Sequence, residues 1–354
     1  MGEEAARAAF ASQAIWCERL GSPFTARLVK LLGERLDRST AIGRRVLDWP
    51  GDPAPEADNV PARLAAALHF LVRRGAAPAL AALYPPRPLP EEDALWAEAA
   101  PLLAQEEATI HRFLSNAPQT NEVGRSSTLM AGLLAVADAH PLPMRLFELG
   151  ASGGLNLLLD RYGHDLGGVR AGDAASPLQL RPAWKGPPPP GADVRIVSRA
   201  GVDLDPVDLA QDGERLLAFV WADMRERIAR LEAALALAAA GPPPVERGDA
   251  DDWLERTLPA TPRDGAVRVV FHSVAYQYFP AATQQRIDAL MHRLGAEATA
   301  AAPLAWLRYE QQPGEPVQSL RLRTWPGEDR HLAWAHPHGA SVEWLATASA
   351  RPRR

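Results

Sequence analysis

Cysteine is almost absent from this sequence, since Cys17 is the single one among 354 residues. One thiol can form neither an intramolecular disulfide nor a cysteine-based metal cluster, and a low cysteine content is typical of a reducing compartment. The histidines near the end of the chain, including His336 and His338, have no acid or cysteine at the spacing of a metal site. We therefore predict a cytoplasmic protein with no metal centre.

A long hydrophobic run is also missing. The most apolar segment, IARLEAALALAAAG, contains Arg230 and Glu232 and is shorter than the roughly 20 residues that span a bilayer. The N-terminal sequence MGEEAARAAF carries acids where a secretory leader has basic residues followed by an apolar core. The sequence thus predicts no export signal and no membrane partner.

An excess of positive charge is the third absence. The 38 lysines and arginines are outnumbered by 43 aspartates and glutamates, which gives a formal net charge of −5. Nucleic-acid binding draws much of its affinity from basic side chains that neutralise phosphates. Hydrophobic residues at 47% and charged residues at 23% are ordinary for a globular chain. We expect a folded protein that does not bind nucleic acid.

The first 140 residues show the periodicity of helices. Apolar residues recur at three- and four-residue spacing, as in Leu28, Leu31, Leu32 and Leu36. Ser22 precedes Pro23, a pairing that predicts a capping hydroxyl followed by the first turn of a helix. Further helices are predicted to begin near Pro61, Glu91 and Val123. We assign residues 1–140 to a helical lobe.

After residue 140 short apolar or β-branched runs alternate with helical stretches. The runs are RLFEL, VRIVS, VRVVF and LAWLRY. This alternation predicts an α/β domain with a mostly parallel sheet over residues 141–354. The last segment predicts two strands joined by a turn at Pro326 and Gly327, as an antiparallel hairpin on the sheet edge. Residues 162–193 are long for a connection between strands, so SPLQLRPAWKG is predicted to form an inserted hairpin or flap.

The segment FELGASGGLNLLL places an apolar strand, a glycine-rich turn and a predicted apolar helix in succession. Such a turn lets a ligand approach backbone N–H groups at the start of a helix. Dinucleotide binding needs glycines at the first, third and sixth positions, whereas Ser152 and Leu155 occupy the last two here. The same segment fits G-x-S-x-G, which would make Ser152 the nucleophile of a hydrolase. Both interpretations stay open beside a third.

The third interpretation is a resemblance. Glu148 followed by GASGG resembles the first motif of class I S-adenosylmethionine-dependent methyltransferases, and GVDLDP and VERGDADDW look like that family's second- and third-strand endings. Together with the upstream TNEVGR, the segment FELGASGGLNL is also similar to a bacterial family of unknown function with a methyltransferase-like core. The resemblance implies a doubly wound, mostly parallel, seven-strand Rossmann-like sheet that follows the helical lobe in the chain.

The resemblance also implies a site and a cofactor. S-adenosyl-L-methionine would bind at the carboxyl ends of the strands, with Asp203 accepting hydrogen bonds from the ribose and Asp249 from the adenine. The predicted cofactor-binding residues are Glu148, Gly150, Ala151, Ser152, Gly154, Asp203, Leu204, Asp249, Ala250 and Arg125. Arg125 is a candidate for pairing with the ligand carboxylate, because a guanidinium matches that group bidentately, although a structural salt bridge is an equal alternative.

The predicted function is methyl transfer to a small-molecule acceptor. His272, at the end of the run VRVVFHS, is the candidate base, with Tyr276 behind it. A histidine after four apolar strand residues can equally be a core residue. A binding protein without turnover and a serine hydrolase are the alternative functions.

Overall fold

The computed structural model describes residues 2–345. Over that range the chain is a mixed α/β protein that divides into two compact units. One unit contains residues 2–120 and 211–229, and the other contains residues 121–210 and 230–345. The first unit is helical, and the second contains every strand of the described range.

The helical unit is built from eight consecutive helices and from a later segment that contains most of one helix and the start of another. The eight are α1 (Gly2–Arg19), α2 (Pro23–Arg35), α3 (Ala41–Leu47), α4 (Val60–Arg73), α5 (Pro78–Ala81), α6 (Glu92–Ala99), α7 (Leu102–Gln105) and α8 (Glu107–Ser115). After helix α9 (Arg125–Ala139), which belongs to the other unit, α10 (Leu209–Phe219) and the start of α11 (Arg225–Ala239) return to the helical unit. The predicted helix starts agree with the observed ones to within two residues.

The core of the helical unit confirms the periodicity of the sequence. Leu28, Leu31, Leu32 and Leu36 are all buried. They pack with residues of α4 and α8 and with Ala218 and Phe219 at the end of α10. The leucine spacing therefore marks the buried face of α2, because residues three and four apart share one side of a helix.

The N-terminus of α2 is capped differently from the prediction. Ser22 makes no side-chain hydrogen bond to the helix. Its hydroxyl instead hydrogen-bonds to Asp223, which also accepts from the Phe24 backbone N–H at 2.9 Å and from the Thr25 hydroxyl at 2.9 Å. A carboxylate from a distant part of the chain thus accepts from one free backbone N–H and one hydroxyl of the first helical turn.

The other unit contains two sheets, nine-stranded and three-stranded. Its strands are β1 (Met144–Leu149), β2 (Gly163–Leu166), β3 (Val169–Gly172), β4 (Gln179–Leu180), β5 (Ala183–Lys185), β6 (Ile196–Asp203), β7 (Val245–Arg247), β8 (Val267–Ser273), β9 (Leu304–Glu310), β10 (Gln318–Trp325), β11 (Asp329–Ala335) and β12 (Ser341–Trp344). Its helices, besides α9 and the end of α11, are α12 (Ala250–Ala260), α13 (Ala281–Ala296) and the 3-10 helices Leu155–Arg161 and Tyr276–Tyr278.

The large sheet has the order β5-β12-β11-β10-β9-β8-β1-β6-β7. Five neighbouring strands, β9, β8, β1, β6 and β7, are parallel to one another. On the other side of β9, the strands β10, β11 and β12 follow as antiparallel neighbours. All seven residues of β8 are buried, as expected of a central strand covered on both faces. From β1 the chain moves outward to β6 and β7 on one side, then returns to β8 and β9 on the other. The carboxyl ends of β1 and β8 therefore meet where the strand order reverses.

The sheet differs from the prediction in its size and at its edge. Nine strands occur in the described residues where seven were predicted, because the short strands β5 and β12 extend the sheet beyond the hairpin. The hairpin itself is confirmed, since β10 and β11 pair antiparallel around Pro326 and Gly327. It does not lie at the edge, which is formed by β5.

Two local predictions differ from the structure. Of the hairpin or flap predicted for SPLQLRPAWKG, the hairpin is wrong, because β4 pairs with β2 and β5 pairs with β12. Its central Arg181 and Pro182 lack the glycine or asparagine that two-residue hairpin turns need. The helix predicted after the glycine turn is a seven-residue 3-10 helix, Leu155–Arg161, that leads into β2 through Tyr162. The Tyr162 hydroxyl donates to the Leu155 carbonyl at 2.7 Å and fixes this short turn.

The division into units does not fall at residue 140. Helix α9 lies with the sheet, and residues 211–229 lie with the helices. Helix α9 is buried over thirteen of its residues, including Leu129 and Leu133, which is typical of a helix that covers a sheet. The last nine residues of the predicted 141–354 domain lie outside the described residues.

Candidate ligand site at the carboxyl edge of the sheet

Two carboxylates come together at the carboxyl ends of neighbouring strands. Glu148 in β1 pairs in register with Gly201 in β6, and Asp203 follows two residues later in β6. Because side chains alternate along a strand, Glu148 and Asp203 lie on the same face of the sheet. The structure thus places side by side the two acids that the sequence singles out.

Glu148 is enclosed by protein. Its side chain is 1% exposed, and its Oε2 atom has no hydrogen-bond partner in the described chain. Asn156 hydrogen-bonds to Glu148, and the Ser126 hydroxyl donates to Asn156 Oδ1 at 2.7 Å. Burial, and then the nearby charge of Asp203, raise the pKa of Glu148 well above its ordinary value. The carboxyl group is therefore biased toward its neutral form, which can donate a hydrogen bond.

Asp203 holds the glycine turn. Its Oδ2 accepts from the Ser152 backbone N–H at 2.7 Å, and its Oδ1 accepts from the Asp205 N–H at 2.9 Å. The side chain is half-buried. Since each carboxylate oxygen can accept more than one hydrogen bond, both keep capacity for a further donor.

The turn itself contains three left-handed residues. Gly150, Ser152 and Gly154 have φ angles of 70°, 54° and 76°. Glycine adopts this region without cost, whereas serine does so rarely. The Ser152 hydroxyl is buried and has no hydrogen-bond partner in the described chain. Ser152 therefore combines an unusual backbone conformation with a free hydroxyl.

Most backbone N–H groups of the turn are already paired within the protein. Gly150 and Ala151 both donate to the Val202 carbonyl at 3.0 Å. Leu155 donates to Asn121 Oδ1 at 2.8 Å, so Asn121 of the TNEVGR segment caps the 3-10 helix. The amides that the sequence offered for a ligand thus hold the turn in place.

The glycines of the turn meet protein side chains at close range. A Cβ atom on Gly150 would stand 2.6 Å from that of Ala275, and one on Gly153 would stand 2.3 Å from Leu209 Cδ2. At Gly150 the close Cβ of Ala275 cannot turn away, so packing is sufficient reason for glycine there. At Gly153 the contact is with the end of a leucine side chain, which can shift.

The third predicted strand ending lies beside the second. Strand β7 pairs with the end of β6 through Asp203 and Arg247. Asp249 then precedes α12 as an exposed residue whose side chain makes no capping hydrogen bond, and Ala250 is buried. Leu204 is 63% exposed. Asp203, Leu204 and Asp249 thus occupy one end of neighbouring strands, as predicted.

Arg125 is used within the protein. Its guanidinium donates to the backbone carbonyls of Ser273 and Pro337, each at 2.8 Å. The residue is buried. These bonds tie the start of α9 to the end of β8 and to the loop after β11. These bonds use two of the five N–H donors of the guanidinium, so pairing with a ligand carboxylate stays a prediction.

His272 and Tyr276 lie apart from the two acids. Phe271, paired in register with Glu148, shares its face, so the next residue, His272, points to the opposite face. The His272 Nδ1 atom is 2.7 Å from Glu310 Oε1, and both side chains are buried. The ring of Tyr276 stacks on the imidazole. Sequence reasoning missed Glu310, although an acid that ends the apolar run LAWLRYE was a usable signal.

A family model described as "Uncharacterized protein conserved in bacteria (DUF2332)" matches residues 7–344. The chain belongs to this family. Among curated proteins, none matches the sequence. The DUF2332 match spans both compact units and includes the acids, the glycine turn and the His272–Glu310 pair.

Two features are absent from the described residues 2–345, a metal-binding cluster and a membrane-spanning helix. No group of three or more His, Cys, Asp or Glu side chains in residues 2–345 is arranged to hold a metal ion. Over the same range, none of the helices combines the length and the apolar character needed to traverse a bilayer.

Proposed function

We propose that this protein binds S-adenosylmethionine at the carboxyl edge of β7, β6, β1 and β8 and transfers its methyl group to a small-molecule acceptor. The observation that carries the proposal is the pairing of Glu148 and Asp203 on one sheet face beside the glycine turn. A Glu148 carboxyl that can donate a hydrogen bond and an Asp203 carboxylate that can accept several suit a ligand that bears hydroxyl groups.

The strand order supports a ligand at this edge. The parallel strands β7-β6-β1-β8-β9 are the third, second, first, fourth and fifth in chain order among themselves. This is the order of doubly wound Rossmann-like sheets, whose ligands bind outside the carboxyl ends of the strands where the order reverses. The methyltransferase-like arrangement implied by the sequence is part of the proposal.

The side chains present fit parts of the cofactor. Asp203 is half-buried and keeps acceptor capacity on both oxygens, as two ribose hydroxyls require. Glu148 Oε2 is a buried polar atom without a partner, and an unpaired buried polar atom is costly. Asp249 is exposed and can accept from an adenine amino group. Because the turn amides are paired, recognition rests on these carboxyl groups.

When bound, S-adenosylmethionine supplies a methyl group on a positively charged sulfur. The protein's contribution is mainly to hold and align the reacting groups, which lowers the entropic part of the barrier. Asp203 and Asp249 would orient the nucleoside, and Glu148 would hold a donor group at the base of the site.

Isothermal titration of S-adenosylmethionine and S-adenosylhomocysteine into the full chain tests the proposal. We expect binding in the micromolar range, weakened at least tenfold by Asp203→Ala. Asp205→Ala is the matched control, because Asp205 is two residues away, exposed and hydrogen-bonded to Arg247 at 2.8 Å. Circular dichroism must show that both variants are folded. A folded wild-type chain that binds neither ligand would exclude the proposed function.

Hydrolysis is a second candidate, which one observation favours. Ser152 has a φ of 54° and a buried hydroxyl without a partner, within the sequence G-x-S-x-G. A serine nucleophile needs a base in hydrogen-bond reach, and Ser152 Oγ has no hydrogen-bond partner among the described residues. We expect a fluorophosphonate probe to leave Ser152 unlabelled, and labelling would favour the hydrolase. Binding of S-adenosylmethionine without turnover would instead favour a non-catalytic binding protein.

A further inference from the structure

The His272–Glu310 pair has no part in the cofactor contacts proposed above. His272 ends β8 and Glu310 ends β9, and these strands are parallel neighbours. Both side chains are nearly inaccessible, at 1% and 3% exposure. Burying two ionisable groups is expensive unless they are paired and hydrogen-bonded. Even a paired buried acid and base are often no more stabilising than apolar residues of the same volume, so a role other than stability is expected for His272 and Glu310.

The hydrogen bonds of Glu310 determine where the imidazole proton is. Glu310 Oε1 accepts from the backbone N–H groups of Ala275 at 2.9 Å and of Tyr276 at 3.1 Å. An oxygen that already accepts from two N–H groups is an acceptor toward His272 as well. The Nδ1 atom, 2.7 Å away, must then carry a hydrogen. In the neutral imidazole, Nε2 is left with a free lone pair.

That lone pair has no partner in the described structure. His272 Nε2 is a buried atom without a hydrogen bond, and Glu310 Oε2 is another. A histidine whose one nitrogen is held by a carboxylate and whose other nitrogen is free is the arrangement of a general base. The same carboxylate would stabilise the imidazolium that forms when Nε2 takes up a proton.

A short segment, Val274–Phe279, covers the imidazole. The ring of Tyr276 stacks on that of His272 with 4.6 Å between centroids. The Tyr276 hydroxyl lies 2.7 Å from Asp288 Oδ1 and 2.9 Å from the Gln284 carbonyl, which fastens the segment to α13. Val274 has a φ of 51°, a conformation that a β-branched residue rarely adopts. Backbone strain of this kind concentrates at functional sites and switch segments.

We propose that His272 is the base for the methyl acceptor and that Glu310 is its positioning residue. This inference rests on the proposed function. When the Tyr276 side chain swings off the imidazole, the N–H groups of Ala275 and Tyr276 still hold Glu310, and Nε2 accepts the proton of an acceptor that carries an O–H or N–H group. The electron pair of that bond forms the new bond to the methyl carbon, and the carbon–sulfur pair leaves on sulfur. His272 ends as imidazolium beside Glu310 and returns its proton to water.

Nitrogen NMR of the full chain labelled with ¹⁵N-histidine tests the proton placement without any ligand. We expect His272 to show a protonated Nδ1 and a bare Nε2 at neutral pH. His164 is an internal reference, because its Nε2 lies 2.8 Å from the Leu159 carbonyl and must carry the hydrogen there. A His272 signal with the hydrogen on Nε2 would overturn the assignment, even in a chain that binds S-adenosylmethionine.

The role of Glu310 is tested by substitution. Glu310→Leu removes the acceptor of Nδ1–H, so we expect the ratio of the Nδ1–H tautomer to the Nε2–H tautomer of His272 to fall at least tenfold. Glu246→Leu, on an exposed residue of β7, is the control, and the His164 signal reports whether the fold is intact. An unchanged tautomer ratio in folded Glu310→Leu would refute the positioning role.

Access to Nε2 is tested with diethyl pyrocarbonate, which acylates an unprotonated imidazole nitrogen. We expect slow modification of His272 in the wild-type chain and at least tenfold faster modification in Tyr276→Ala. Failure to modify His272 in the folded variant would overturn the role as base. Titration of S-adenosylmethionine reports separately on the proposed function, so failure of one inference is distinguishable from failure of the other.

Discussion

Glu148 is a carboxyl group that folding removes almost completely from water. Burial and the charge of Asp203 raise its pKa, so the folded chain keeps this proton to a higher pH than the unfolded chain does. A raised folded-state pKa gives stability that is fully present below the unfolded pKa and is lost as pH rises through the folded one. Glu148 therefore destabilises the native state at neutral and alkaline pH, which is a reason to seek a binding role for it.

Glu148→Gln should remove this pH-dependent cost. The amide has nearly the same shape and cannot ionise, so we expect the variant to gain stability over the wild type as pH rises from 5 to 8. The gain should approach about 1.4 kcal/mol for each unit by which the pKa is raised. Thermal unfolding across this pH range measures it. Glu255→Gln, on an exposed residue of α12, should show no such trend, and a difference independent of pH would contradict the explanation.

Single residues divide into those that a pattern reveals and those that only contacts reveal. Glu148 and Asp203 were predictable, because each comes at the end of an apolar run close to a glycine or proline. Glu310 also ends an apolar run and was missed, whereas Asn156 was not predictable, because its role depends on a hydrogen bond to a residue on another element. The two carbonyl partners of Arg125 were not predictable either, because backbone carbonyls have no sequence signal.

At the scale of elements, proline and periodicity were good guides to where helices and strands begin. They could not identify the cap of α2, because Asp223 is 201 positions from Ser22 in the chain. The nine-stranded sheet exceeded the predicted seven for a similar reason. Strands β5 and β12 have three and four residues, so their periodicity is too short to detect and their pairing fixes them.

Asp223→Ala should weaken the start of α2. The carboxylate accepts hydrogen bonds from Ser22, Phe24 and Thr25, and loss of one helix cap costs about 0.5–2 kcal/mol. We expect Asp223→Ala to lower the free energy of unfolding by about 2 kcal/mol, since it removes all three bonds. Urea denaturation followed by circular dichroism measures the loss. Ser22→Ala removes one bond and should cost less than half as much; equal losses would show that Asp223 is not the shared acceptor.

At the scale of the whole molecule, the units are not continuous in sequence. The helical unit is completed by residues 211–229, which come after strand β6 in the chain. The His69 ring lies 3.1 Å from the Ala218 carbonyl, and Arg73 pairs with Glu214 at 3.0 Å. A change of pattern along the chain reveals where strands begin, but a helix that returns to an earlier unit has the same periodicity as one that does not. The boundary predicted at residue 140 therefore differed from the observed division.

A fragment of residues 1–140 should not fold cooperatively. It lacks Phe219, whose ring packs against Phe113 with 5.7 Å between centroids, and removing a buried phenylalanine side chain costs about 3–5 kcal/mol. It also contains α9, whose buried residues would be exposed to water without the sheet. We expect circular dichroism to show a broad thermal transition for this fragment. Residues 1–120 joined by a glycine–serine linker to residues 205–232 should give a sharp one. Cooperative unfolding of the 1–140 fragment would mean that α10 is dispensable to the helical core.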